Sequence, residues 1–123
     1  MPGALGPDQA GSRITEPGPH RLIITAAEED QNDYGAFVQV SAHTADGEMI
    51  QERVSTTGKF AWKLGAFLSA LKLPHGKGDP WDEAEWIGKT FDADVAFGKK
   101  GYPYCTSYSA VPDGEELHEE IPF

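Results

Sequence analysis

Cysteine is nearly missing from this sequence. Cys105 is the only one in 123 residues, so no intramolecular disulfide can form, which fits a reducing compartment. No apolar run approaches the roughly 18 residues that a membrane-spanning helix needs. Residues 1–17 hold one basic residue and no apolar core, which excludes a secretory signal. The four histidines, His20, His43, His75 and His118, lie far apart without a partner at metal-ligand spacing. Glu28, Glu29, Asp30 and Asp33 lack the fixed spacing of a calcium loop. No metal, cofactor or catalytic residue is therefore expected, and no Ser/His/Asp or Cys/His arrangement can be read. Gly98-Lys99-Lys100-Gly101 is not a phosphate-binding loop, because it joins two strands and no helix follows it.

Basic residues are scarce as well. Lys and Arg number 10 against 20 Asp and Glu, a net charge of −10. Phosphate contact depends on Lys and Arg, so this balance opposes nucleic-acid binding at first sight. Its distribution matters more than its sum. From Asp113 onward there are five acids (Asp113, Glu115, Glu116, Glu119 and Glu120) and no Lys or Arg. Without that stretch, 10 basic residues face 15 acidic ones, a balance of −5. Any nucleic-acid surface must then be a local patch.

Residues 1–19 hold four Gly and four Pro with little apolar content, which predicts a disordered leader. Order is expected from His20. Residues 21–27 are apolar and partly β-branched, the signature of a strand. Residues 34–44 form a second strand. It sets Ala36, Val38, Val40 and Ala42 on one face and Phe37, Gln39, Ser41 and His43 on the other. Asp46-Gly47 is a hairpin signal, and Met49–Ser55 is the third strand.

The period then changes. Within residues 58–73, Phe60, Ala61, Leu64, Phe67, Leu68 and Leu71 follow helical spacing, with Thr57 to cap the start and Pro74 to stop the end. A short helical turn opens at Asp79-Pro80, with Trp81 and Trp86 facing inward. Phe60, Phe67, Phe91, Trp62, Trp81 and Trp86 are assigned to the core, and Lys59 and Lys63 to the solvated side of the helix. Residues 89–97 alternate as a fourth strand. It puts Asp92 and Asp94 together on an outer face. Residues 102–111 close the set. The order strand, strand, strand, helix, strand, strand predicts an all-β domain with one main helix between strands three and four. That is the order of the five-stranded OB-fold barrel, with an α+β roll or a small sandwich as alternatives.

The domain is expected over residues 20–112, followed by an acidic tail over 113–123. In that tail the acids repel one another and keep the chain solvated. Ile121 and Phe123 follow them at the end. An exposed Phe beside a terminal carboxylate can enter a small apolar pocket with a basic rim, and Pro122 limits the freedom lost on docking.

The segment Glu119-Glu120-Ile121-Pro122-Phe123 resembles the tip that ends bacterial single-stranded-DNA-binding proteins, with Glu where those proteins usually have Asp and without their long Gly/Gln-rich linker. The body resembles the small phage-encoded proteins of the DUF669 type. That resemblance lies in Gly35 and Phe37, the Asp46-Gly47 turn, Leu68-Ser69-Ala70-Leu71 and Ile87-Gly88-Lys89. Together they imply an OB-fold protein of phage replication or recombination in the host bacterial cytoplasm, with no membrane association. Such a protein coats single-stranded DNA and recruits a helicase, primase, exonuclease or recombinase mediator through its tip. Sequence-tolerant single-strand binding uses aromatic faces for bases and cations for phosphates. Lys99 and Lys100 at a Gly-flanked tip, Tyr102 and Tyr104 on one strand face, Tyr108 extending that stripe, Phe37, Tyr34 and Arg53 are the candidates. One rival reading is an adaptor or inhibitor that carries the tip without binding DNA. The other is a small nuclease, which would need a convergent acid cluster.

Overall fold

The computed structural model describes residues 13–33, 35–58, 62–76 and 80–117. The strands are β1 (Gly18–Asn32), β2 (Gly35–His43), β3 (Met49–Ser55), β4 (Thr90–Phe97) and β5 (Pro103–Ser109). One helix, α1 (Trp62–Ala70), lies between β3 and β4, followed by a 3₁₀ turn at Glu83–Trp86. Of the helix expected over 58–73, residues 59–61 lie outside the described residues, and the Thr57 hydroxyl expected to cap its start accepts from Ala36 N–H at 2.9 Å. Asp82 caps the 3₁₀ turn, its carboxylate accepting from Ala84 N–H at 3.0 Å.

All five strands form one antiparallel sheet in the order β3-β2-β1-β4-β5. β1 is its hub, because its two halves serve different neighbours. Gly18 to Ile23 pair with β4, and Ile23 to Asn32 pair with β2. A register shift between Ile24 and Ala26 bends the strand where its partners change. The Asp46-Gly47 turn forms as expected: Gly47 takes φ of 87° and donates its N–H to Thr44 O at 3.0 Å.

Five antiparallel strands and one helix match the sequence expectation; a closed barrel does not. Among the described residues no backbone pairing joins β3 to β5, so the sheet is open at that seam. The two strands nevertheless lie against each other, because side chains cross the gap. Glu52 of β3 accepts from the Cys105 N–H at 3.4 Å and from the Tyr108 hydroxyl.

Alternation puts Val38, Val40 and Ala42 of β2 into the core with Leu22, Ile24, Ile50, Val54, Phe91 and Val95. Phe67 of α1 plugs the open side of the sheet. Its ring lies 5.1 Å from each of Trp86, Phe91 and Tyr108, tilted or edge-on to all three. Trp81 is half-buried against Trp86. Trp62 departs from the sequence reading. It stands at the start of α1 on the side away from Phe67, 65% exposed, and takes no part in the core.

Contacts cross both of the expected domain boundaries, at residues 20 and 112. Within the expected leader, Ile14 is 1% exposed and donates its N–H to Met49 O at 3.0 Å on the edge of β3. An apolar β-branched side chain with a sheet edge to pair with escapes the Gly/Pro-rich composition around it. At the other end, residues 113–117 rest on the body. α1 ends with Lys72 in the left-handed region at φ of 62°, while Leu73 N–H reaches back to Leu68 O. Lys72 Nζ then pairs with Asp113 at 2.5 Å. Glu115 pairs with Arg21 at 3.0 Å, and Leu117 N–H donates to Thr90 Oγ1 at 2.9 Å. These acids are held by cations the body supplies. The rest of the tail lies outside the described residues.

Phe67 is 0% exposed and central to the aromatic cluster, so Phe67→Ala should lower the unfolding free energy by about 3–5 kcal/mol in urea titration. A loss below about 1 kcal/mol would mean that the cluster does not hold α1 to the sheet.

Candidate nucleic-acid interface

The alternation that buries Ile50, Glu52 and Val54 turns Gln51 and Arg53 to the outer face of β3. Cross-strand pairing sets Gln39 opposite Arg53. Next to this face stands the β4–β5 turn. Its path is closed by Gly101 N–H to Gly98 O at 2.9 Å and Gly98 N–H to Tyr102 O at 3.1 Å. Gly101 takes φ of 82° there, a conformation that side chains other than glycine's rarely adopt. Between the outer face of β3 and this turn runs a groove of about 720 Å³. Gln39, Met49, Gln51 and Arg53 form one wall, and Tyr102, Pro103 and Tyr104 the other. Lys63 of α1, Arg13, Ile50 and Glu52 also line it.

Two aromatic rings here carry a guanidinium. Arg53 lies over Phe37 with 4.3 Å from Cζ to the ring centroid, and Arg13 lies over Tyr102 at 4.7 Å. Tyr102 is still 54% exposed and Tyr104 46%. Lys99 and Lys100 are exposed on the turn beside Tyr102. Three of the chain's ten basic residues thus line the groove, and Lys99 and Lys100 precede its Tyr102 on the exposed turn.

A smaller groove of about 370 Å³ on the outer face of β1 and β4 has the opposite character. Arg21 there is bound by Asp92 at 2.8 and 3.1 Å and by Glu115 at 3.0 Å. Asp94 accepts from the Ser107 hydroxyl at 3.0 Å. The two aspartates read from the sequence as a solvated pair are instead engaged by neighbours from β1 and β5. Among the described residues no group of three or more His, Cys, Asp or Glu is placed to hold a metal ion. Among those residues, too, no helix is long and apolar enough to cross a membrane.

Of the candidate residues, the structure brings together Tyr102, Tyr104 and Arg53 and sets Lys99 and Lys100 next to them. Phe37 lies on the expected face but is only 6% exposed, roofed by Arg53, so no base can reach its ring without moving that side chain. Tyr108 does not extend the Tyr102–Tyr104 stripe. Asp94 pairs with Ser107 and Val95 with Cys105, so Thr106 is an extra residue in β5. That bulge reverses the alternation and turns Tyr108 inward against Phe67 and Phe91. Tyr34 and the docking segment Glu119, Glu120, Ile121, Pro122 and Phe123 lie outside the described residues.

Sequence reasoning missed Arg13, assigned to the leader, and Lys63, assigned to bulk solvent. It also missed Glu52, whose place between Ile50 and Val54 on the core face was a readable signal. Burial pushes the Glu52 carboxyl above its usual value, and the hydrogen bonds from Tyr108 and Cys105 and the charge of Lys63 oppose the shift. Burial and the nearby Glu52 charge push the Cys105 thiol up in turn, which favours its neutral form.

No protein-family model matches the chain, and no curated protein matches it. The two resemblances described above rest on the residues quoted for them.

The raised Glu52 carboxyl has a measurable consequence. Its protonation favours the folded state, and that contribution is lost as pH rises from the ordinary glutamate range, about 4.3, towards neutrality. The melting temperature of wild type should therefore fall relative to that of Glu52→Gln over this window. A constant difference between the two proteins would show that Glu52 titrates normally.

Proposed function

We propose that the protein binds single-stranded DNA without strong sequence preference, in phage replication or recombination, and recruits partner enzymes through its C-terminal tip. One observation carries the DNA reading: in an acidic chain, Arg13, Arg53 and Lys63 line one groove together with two exposed tyrosines. Aromatic faces take bases of any identity, and basic side chains take the phosphates. Gln39 and Gln51 add amides that can donate or accept at any base edge.

The strand order supports an OB-type reading of the fold. β3-β2-β1-β4-β5 with a helix after β3 is the OB order, and the groove lies on the outer sheet face and a hairpin loop, where that fold binds strands. The β3–β5 seam is bridged here by Glu52 instead of by backbone. The resemblances to phage and bacterial single-strand-binding proteins point the same way.

Fluorescence anisotropy with labelled oligo-dT tests this. Wild type should bind at low salt, and affinity should fall steeply as salt rises. Tyr102→Ala and Tyr104→Ala should each cost about 1–3 kcal/mol, the range for one lost base stack. No binding by the folded protein at low salt would end the DNA reading and leave the adaptor, which the net charge of −10 favours.

The recruitment half has its own test. Removing residues 121–123 should leave oligo-dT affinity unchanged and abolish pull-down of the host replication or recombination enzyme. If truncation destroys DNA binding instead, the tip belongs to the fold and not to a partner.

A further inference from the structure

Three arginines are described, and they are held in two different ways. Arg21 is neutralised by two carboxylates on the outer face of β1 and β4. Arg13 and Arg53 have no ion pair or side-chain hydrogen bond among the described residues; both line the groove, and each has its guanidinium carbon over an aromatic ring. The distinction is chemical. A guanidinium stacked on a ring uses its face, while its five N–H donors point outward from its edge. Stacking therefore orients the fork without consuming it. A fork so held, beside exposed tyrosines, matches a phosphate bidentately and gives up little rotamer freedom on binding.

From this we infer that Arg13 and Arg53 are two pre-oriented phosphate clamps, and that the segment carrying Arg13 is part of the binding site. The inference rests on the groove being the single-strand site. Arg13 is delivered there by its neighbour: Ile14 is buried and tied to Met49 O at the start of β3. Arg53 stands four residues further along the same strand, about 13 Å away at strand rise. The nucleic-acid backbone then runs along β3 and places separate phosphates on the two forks. Bases from the intervening nucleotides turn towards Tyr102 and Tyr104.

The salt dependence of oligo-dT binding separates this from a purely structural role. On a single strand each neutralised phosphate contributes about 0.7 to the slope of log K against log salt. Arg13→Ala and Arg53→Ala should each reduce the slope by about 0.7, and the double variant by about 1.4. Arg13→Lys, which keeps the charge and loses the planar fork, should retain the slope with a lower affinity. Arg21→Ala, on the other face, should leave the slope unchanged. Circular dichroism melts confirm that each variant is folded; if Arg13→Ala unfolds, Arg13→Gln supplies the slope. Affinity lost at an unchanged slope would mean that the arginines only brace their rings, and the inference falls. An unchanged affinity and slope would also overturn it, while wild-type binding would still uphold the groove as the DNA site. Failure of wild type itself to bind would remove that reading and this inference together.

Discussion

The structure turns on one buried carboxylate. Glu52 sits on the core face of β3 and reaches across the seam to the backbone of Cys105 and the hydroxyl of Tyr108. Those hydrogen bonds tie the first and last strands in the sheet order together, and Arg13, carried on the edge of β3, adds a contact to Tyr102 of the β4–β5 turn. The groove exists because that turn stands where it does. A buried carboxylate is costly unless it is hydrogen-bonded, and here both oxygens are engaged. Tyr108 links the seam to the core in the same stroke, because its ring packs on Phe67 while its hydroxyl holds Glu52. Helix, seam and groove are therefore mechanically coupled.

Charge is arranged around this frame by position more than by amount. The acids of residues 113–116 are partly neutralised by Lys72 and Arg21, which are cations remote from the groove. Among the described residues, the carboxylate lining the groove beside its basic residues is that of Glu52, which is turned to the seam and whose ionisation is opposed by burial. An acidic protein can in this way present a locally positive channel. The overall negative charge limits adhesion to other polyanions, so attraction depends on a chain entering the groove itself.

Much of the fold was legible in the sequence, because period-two alternation in β2, β3 and β4 and helical spacing around Phe67 are direct consequences of burial on one face. The Asp46-Gly47 turn was legible for a different reason, the left-handed conformation that glycine accepts. Three features were not. The bulge at Thr106 has no sequence mark, and it alone moves Tyr108 from the outer face to the core. Ile14 is one apolar residue in a Gly/Pro-rich stretch, and only a sheet edge in three dimensions reveals its anchor. The open seam reflects side-chain bridging that strand patterns do not encode. Of the site, the exposed tyrosines and the turn lysines were readable from residue type and flanking glycines. Arg13 and Lys63 were not, since each becomes a groove residue only through the packing of its neighbours.

The central claim is that one groove, between the outer face of β3 and the β4–β5 turn, is where single-stranded DNA lies. Titrating oligo-dT into isotope-labelled protein and following backbone amide shifts by NMR tests it directly. The account predicts that the largest perturbations cluster on Gln39, Gln51, Arg53, Tyr102 and Tyr104, with the amides around Arg21 and Asp92 unmoved. Perturbations centred on Arg21 and Asp92, or spread evenly over the surface, would contradict it.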